Sequence, residues 1–429
     1  MRTAHIRQLA KSDMAAAKVE LADLLQQKFS IQARAIQLND DQYSLNSLNG
    51  FFETDDGAFF FKFHQEEGED QMRGEYYRAD LLVRENLPVD MPVMASTEPG
   101  EQILIYRRRL DRRFSDVLFD LDAKRGATPE QKLLADAVAA ERVLNEKILQ
   151  VALKTLHPVE PGDVRNEAIH RLFYERMVDL PAGTYPGGRY GSFYVGQEFE
   201  LPGAKLSWDE FSTAKLVLNG QVMEQTFAEI FDSAATLLHP NNLANAGGMV
   251  AHGDAHNANV WFEEAYDTPQ LCYFDPAFAG EHVPALLAEV KATFHNVFAH
   301  PLWLYNPELV TKSYSAQATY KDGVLSIDTD WRPSQVRLDL LTAKSDAFWK
   351  PFLAHLDREA MLPDNWKQVL HAALAMCPAL VTNLRANAGR HNPTSSAIGF
   401  YVTALMGSVS VSGETMVTNF LNAIDPRRS

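Results

Sequence analysis

The run His252-Gly253-Asp254-Ala255-His256-Asn257-Ala258-Asn259-Val260 sets an aspartate and an asparagine five positions apart, and a second aspartate, Asp275, follows sixteen residues later. Gly253 and Asn257 argue against a helix here, so the run reads as a loop. After it come Val260-Trp261-Phe262, a polar stretch from Glu263 to Pro269, and Gln270-Leu271-Cys272-Tyr273-Phe274. Two apolar runs around a polar turn read as a β-hairpin. A hairpin returns the chain beside its start, which would bring Asp275 within reach of an ion held by Asn259. A lone His-Gly-Asp would be an ordinary Asx turn. With the asparagine, the hairpin and the second aspartate in register, the run reads as a site rather than a lone turn.

The spacing has a chemical reason. One loop must aim a carboxylate at an incoming hydroxyl and also reach a metal bound between phosphates, whose second ligand comes from elsewhere. Protein kinases write this as His-x-Asp-x-x-x-x-Asn, with the Asp as base and the Asn and a later Asp on magnesium. Gly253 stands where protein kinases carry Arg. At these residues the chain resembles the aminoglycoside phosphotransferase and choline kinase superfamily, whose loop commonly reads His-Gly-Asp-x-His-x-x-Asn. Asp275-Pro276-Ala277-Phe278-Ala279 resembles the Asp-Pro metal motif of fructosamine and methylthioribose kinases. The resemblance implies Asp254 as catalytic base, Asn259 and Asp275 on Mg²⁺, ATP as phosphoryl donor and a small hydroxylated molecule as acceptor. His252 is expected to brace the loop and His256 to support it. A zinc site on the two histidines would need a helix.

The implied fold is α+β and bilobal, protein-kinase-like, with a small antiparallel-sheet N-lobe and a large, mainly helical C-lobe. Residues 1–35 would form a leading helical segment, 36–106 the N-lobe and 107–429 the C-lobe. The motifs run in order from Gln42 to Asn296. One departure is that many members place a further Asp beyond the metal Asp, whereas this chain offers only Glu289.

The first hundred residues are an independent check. From Gln42 to His64 the pattern is strand, Asp55-Asp56-Gly57 turn, strand, and Asp-Gly between β-rich runs is a strong hairpin signal. Lys62 falls late in the second strand, as the phosphate-pairing lysine does in kinases; otherwise it is a strand lysine reaching for water. Glu75, within the helical stretch Gln71 to Leu82, is expected to pair with it, in preference to Glu69 or Asp70. The turn Asn46-Ser47-Leu48-Asn49-Gly50 would cover the phosphates through Ser47, Asn49 and Gly50, or be an ordinary hairpin turn. Gln102 to Tyr106 reads as the strand ending at a hinge, where adenine would bond backbone groups near Tyr106 and Arg107.

The chain has 429 residues, 46% of them hydrophobic, enough for a large core. A formal charge of -16 disfavours nucleic acid or an anionic membrane as partner and suits a neutral or cationic substrate. Two cysteines, Cys272 and Cys377, cannot build a disulfide framework. Charges scattered through Met1 to Phe29 leave no room for a signal peptide, and no spanning run occurs, so a cytoplasmic location is expected. Oligomeric state is not legible.

In the second half, the arginines of Arg107 to Arg113 read as a solvated helix entry paired with acids, the alternative being an anion clamp. Thr128-Pro129 starts a long helix whose stripe runs from Leu133 to Ala152. Val222 to Leu238 gives another helix. Leu180 to Leu206, mixing glycines and aromatics, reads as a surface insertion or a loop closing over substrate. From Ser334 onward the chain is mostly helical. Two other functions compete: a nucleotide-binding pseudokinase, disfavoured by the intact Lys, base and metal residues, and a kinase acting on protein, disfavoured by the missing glycine-rich loop and Asp-Phe-Gly.

Overall fold

The computed structural model describes residues 2–39, 48–63, 74–96, 98, 100–123, 131–299 and 301–428, and of residues 74–77, 123 and 301 it describes the backbone. The chain combines helices with small, mostly antiparallel sheets. It divides into two compact units, one of Met1–Arg84, Pro88–Asp111 and Cys272–Ala277, the other of Glu85–Leu87, Arg112–Leu271 and Phe278–Ser429.

In the first unit, helices α1 (Arg2–Ser12) and α2 (Met14–Phe29) precede strands β1 (Arg34–Leu38), β2 (Asn49–Thr54) and β3 (Gly57–Lys62). Helix α3 (Gly74–Arg84) then leads to β4 (Met94–Ser96) and β5 (Ile103–Arg107). The sheet order is β1-β2-β3-β5-β4, antiparallel throughout. Strand alternation sorts the side chains. Phe59, Phe61 and Phe63, with Phe52, Ile103 and Ile105, pack against Ile6, Ala17, Leu21, Leu24 and Leu25. The leading helices thus share one core with the sheet, while Phe60 and Lys62 alternate to its other face. The expected Asp55-Asp56-Gly57 turn closes the β2–β3 hairpin, where Thr54 faces Gly57 and its hydroxyl accepts from the Asp56 amide.

The second unit begins with helices Phe114–Ala123 and Gln131–Thr155. The Thr128-Pro129 start lies outside the described residues. The expected stripe holds for Ala137, Ala140, Leu144, Ile148, Val151 and Ala152, but Val143 is exposed and two polar residues, Glu141 and Asn145, are buried in it. The helix expected at Val222 begins at Phe227, because Thr226 forms a capping box with Glu229 and Val222 belongs to a short strand. Within Leu180 to Leu206, exposed positions such as Leu180 alternate with rings packed into the core. Tyr190 stacks on Phe231 at 4.1 Å and Phe199 on Phe211 at 3.9 Å, and both Tyr190 and Phe199 are buried. Burying such rings stabilises by about 1.5–3 kcal/mol each, more than a mobile loop would forgo. The two helices Trp366–Val381 and Pro393–Gly407 are buried along most of their length. Among the described residues no helix is long and apolar enough to cross a membrane.

Candidate functional site

In the first unit the site is built on the sheet face away from α1 and α2. Lys62 Nζ donates to Asp275 Oδ1 at 2.6 Å, with the lysine side chain 13% and the aspartate 39% exposed. The segment carrying Asp275 is fixed on both sides. Tyr273 donates its amide to the Pro88 carbonyl, Asp90 donates to the Tyr273 carbonyl, and Arg78 donates to the Ala277 carbonyl. Asp275 itself holds a φ of 55°, in the left-handed region that residues with a Cβ rarely adopt and that recurs at functional sites.

The expected partner of Lys62 was Glu75; the contact found is with Asp275. Glu75 lies in α3, and its side chain is outside what the structure describes. Ser47 is also outside the described residues. Asn49 and Gly50 are not in a turn but in β2, facing Lys62 and Phe61. The physical reason is at Gly50, where a Cβ would meet the Gln37 carbonyl oxygen at 2.0 Å, so the small residue permits close pairing with β1. The Asn49 side chain is buried and accepts from Asn39 Nδ2 at 2.8 Å. Tyr106 is buried in β5 with its ring 6.2 Å from Phe60, on the same face as Lys62. The basic run after it is a paired surface: Arg108 lies 4.6 Å over Phe51, and Arg109 bridges Asp111 at 3.3 Å.

In the second unit the strand Gly248–Ala251 delivers the loop. His252 is buried, and its Nδ1 accepts from the Asp254 amide at 3.3 Å. Gly253 has a φ of 78°, and a Cβ there would meet the Phe278 carbonyl oxygen at 2.5 Å, so no arginine fits this position. His256 Nδ1 accepts from the Ala258 amide, capping the short turn Asn257–Asn259, and its Nε2 lies 3.7 Å from Asp254 Oδ2. Asn259 Nδ2 donates to the Asp254 carbonyl at 3.0 Å. That bond uses the amide nitrogen; the oxygen is the atom that can take a cation. Strand Val260–Glu263 follows and pairs antiparallel with Arg112–Arg113.

Asp254 is 13% exposed, and its Oδ1 is buried without a hydrogen-bond partner. Lys291 Nζ stands 3.8 Å from that oxygen and 3.1 Å from His295 Nε2. Burial, and then the nearby Lys291, His256 and Arg176, hold His295 well below the ordinary histidine range, so its ring is neutral. Lysine can only donate, so Nε2 accepts and Nδ1 carries the proton toward the Tyr305 hydroxyl.

Sequence reasoning missed what holds this loop. The Asn257 amide donates to Asn296 Oδ1 at 2.9 Å, and Asn296 Nδ2 reaches Glu141 Oε1 at 3.3 Å. Arg337 donates to Asp122 and to the carbonyls of His295 and Asn296. Glu289 turns away to Lys344, at 2.7 Å with both side chains 2% exposed, so the loop's support comes from Asn296 rather than from Glu289. One signal was present. Glu289, Lys291, Thr293, His295 and Asn296 interrupt an otherwise apolar run from Val283 to Phe298, and all are buried.

No family model matches the chain, and no curated protein matches it. Solved structures similar to it include an ethanolamine kinase from Plasmodium vivax, 8% identical with a TM-score of 0.44, covering 95% of this chain and 94% of that one. A glucosamine kinase is 16% identical with a TM-score of 0.42, covering 90% and 82%. A spectinomycin phosphotransferase in complex with ADP and spectinomycin is 11% identical with a TM-score of 0.38, covering 90% and 98%. With every one of these scores below 0.5 the likeness is distant, and what the site can do follows from its own residues. In its loop motif the chain resembles the aminoglycoside phosphotransferase and choline kinase superfamily.

Proposed function

We propose that this chain is an ATP- and Mg²⁺-dependent phosphotransferase with a bilobal, protein-kinase-like fold, transferring the γ-phosphoryl group to a hydroxyl of a small sugar-like, amino-alcohol or aminoglycoside molecule. The observation that carries this reading is the state of Asp254: a buried carboxylate oxygen with no hydrogen-bond partner, on a loop whose Asn259 is tied to the same residue. A buried acceptor left unsatisfied costs about 1–3 kcal/mol, a cost borne at a residue whose other oxygen, Oδ2, is left for the acceptor's hydroxyl.

The donor set suits the ion. Asn259 and Asp275 offer an amide and a carboxylate oxygen, hard ligands of the kind Mg²⁺ takes beside phosphates. When bound, Mg-ATP supplies the phosphoryl group and neutralises charge on it. The chain's part is positioning. Asp254 orients the attacking hydroxyl and takes its proton at Oδ2, the carboxylate oxygen that is not buried. Lys62, at the end of β3, binds phosphate oxygens, with Glu75 as its second carboxylate partner. The segment ahead of β2, with Ser47, covers the phosphates, and backbone groups near Tyr106 receive the adenine edge. His252 and His256 keep the loop in shape.

The test is ADP release with Mg²⁺ and ATP across sugars, amino alcohols and aminoglycosides, with Asp254→Asn as blank. Transfer lost in the variant supports the reading. ATP binding without transfer to any acceptor, unchanged by Asp254→Asn, turns it to a non-catalytic nucleotide-binding protein.

A further inference from the structure

The loop that carries Asp254 contains no cation of its own beside the carboxylate. The position before it is closed to side chains, because a Cβ on Gly253 would meet the Phe278 carbonyl oxygen. The two histidines that frame the loop are engaged through Nδ1 as acceptors from backbone amides. The positive charge comes from a different element, the helix Val290–Val297, every residue of which is buried.

We propose that Lys291 is a positioning residue for phosphoryl transfer: from outside the loop it holds the buried Oδ1 of Asp254 by charge, which leaves Oδ2 for the acceptor's hydroxyl. The inference rests on the phosphotransferase reading above. The separation of 3.8 Å is an ion-pair distance but too long for a hydrogen bond, so charge is supplied without occupying the oxygen's lone pairs. Lys291 donates to His295 instead, a ring held neutral by burial and so unable to compensate the ammonium. Among the described residues Asp254 is the one carboxylate in an ion pair with Lys291. An ammonium 3% exposed is costly to desolvate, and a methionine of similar length would fill the same space without that cost. The charge therefore serves the carboxylate rather than the packing. When the hydroxyl oxygen bonds to the γ-phosphorus, the bond to the β–γ bridging oxygen breaks, ADP leaves and the hydroxyl proton passes to Asp254.

The experiment compares the wild type with Lys291→Met, Lys291→Arg, Asp254→Asn and the double variant Asp254→Asn/Lys291→Met, reading kcat, the KM for ATP and the thermal midpoint. Lys291→Met is expected to lower kcat on the order of 10²-fold with the KM for ATP changed less than about threefold. Lys291→Arg recovers part of the rate, and the double variant is no slower than Asp254→Asn alone. Near-wild-type kcat in Lys291→Met, or a loss explained by a lowered midpoint that Arg does not rescue, overturns the proposal. If the wild type transfers phosphate to no acceptor, the phosphotransferase reading fails on its own. The midpoints still decide the pair: non-additive shifts in the double variant keep the Lys291–Asp254 interaction, and additive ones remove it.

Discussion

Two aspartates, each beside a lysine, sit in very different surroundings. In the first unit Asp275 is half-exposed and hydrogen-bonded directly by Lys62 at 2.6 Å. In the second, Asp254 is mostly buried, its lysine stands off at 3.8 Å, and one oxygen has no partner. A carboxylate already neutralised by contact is suited to exchange one cation for another, as a ligand of Mg²⁺ has to. A carboxylate held by charge alone keeps a lone pair for a proton. The surroundings differ in the same sense. Asp275 is positioned by hydrogen bonds to the backbone of a half-buried segment, whereas the Asp254 loop is anchored through Asn257 to buried side chains on three helices.

The comparison breaks most visibly at Asp254. Asp254→Asn keeps the shape and removes the proton acceptor, and is expected to lower turnover with the best acceptor by roughly 10²- to 10⁴-fold, with nucleotide binding retained in a fluorescence titration. Near-normal turnover would move the base elsewhere. Next comes the anchoring. Lys344→Met strands Glu289 as an uncompensated buried charge, and urea unfolding should report a loss of about 3–5 kcal/mol. A loss below about 1 kcal/mol would show that water reaches the pair and that the second unit is not dry in the sense argued.

How much of this was legible follows from the same contrast. The loop could be read because Gly253 and Asn257 oppose a helix between two apolar runs, and the β2–β3 hairpin because Asp-Gly and alternating phenylalanines have local causes. Lys62 was found from its strand, but its contact with Asp275 spans more than two hundred residues and has no local signature. Asn49 and Gly50 looked like a turn because small polar residues do. Their place in a strand depends on how closely β1 approaches, which only the folded chain defines. The anchoring network was invisible for a related reason. Glu141 and Asn145 are polar letters on an apolar stripe, and a sequence assigns such letters to the solvent face unless their partners on distant helices are known.

Acidification should affect the second unit through its buried histidines. Burial lowers His170 and His391 to about 4, and lowers His371 as well as His295. In the unfolded chain these rings take a proton near pH ~6.5, and in the folded chain only well below that. Between those values the unfolded state binds more protons, so stability falls as pH drops through this window and is fully present above it. For His170 or His391 the loss approaches about 3 kcal/mol, at 1.36 kcal/mol per unit. Urea unfolding of the wild type and His170→Gln at pH values from about 7 to about 4.5 checks it. A variant with the same pH slope as the wild type would mean that His170 is protonated in the fold.

The smallest stability effect is expected where the comparison began. Asp275 is 39% exposed, so water replaces much of what Lys62 gives it, and Lys62→Met should cost less than about 1 kcal/mol in urea unfolding. Its effect on nucleotide should be larger, because a charge-assisted hydrogen bond to phosphate is lost; about 10-fold weaker ATP binding is expected from such bonds. The two readouts separate the roles. A lysine that served the sheet would move stability and leave ATP binding alone. One poised for phosphate moves binding and leaves the fold in place, and only the second outcome keeps Asp275 and Asp254 as two carboxylates arranged for different tasks.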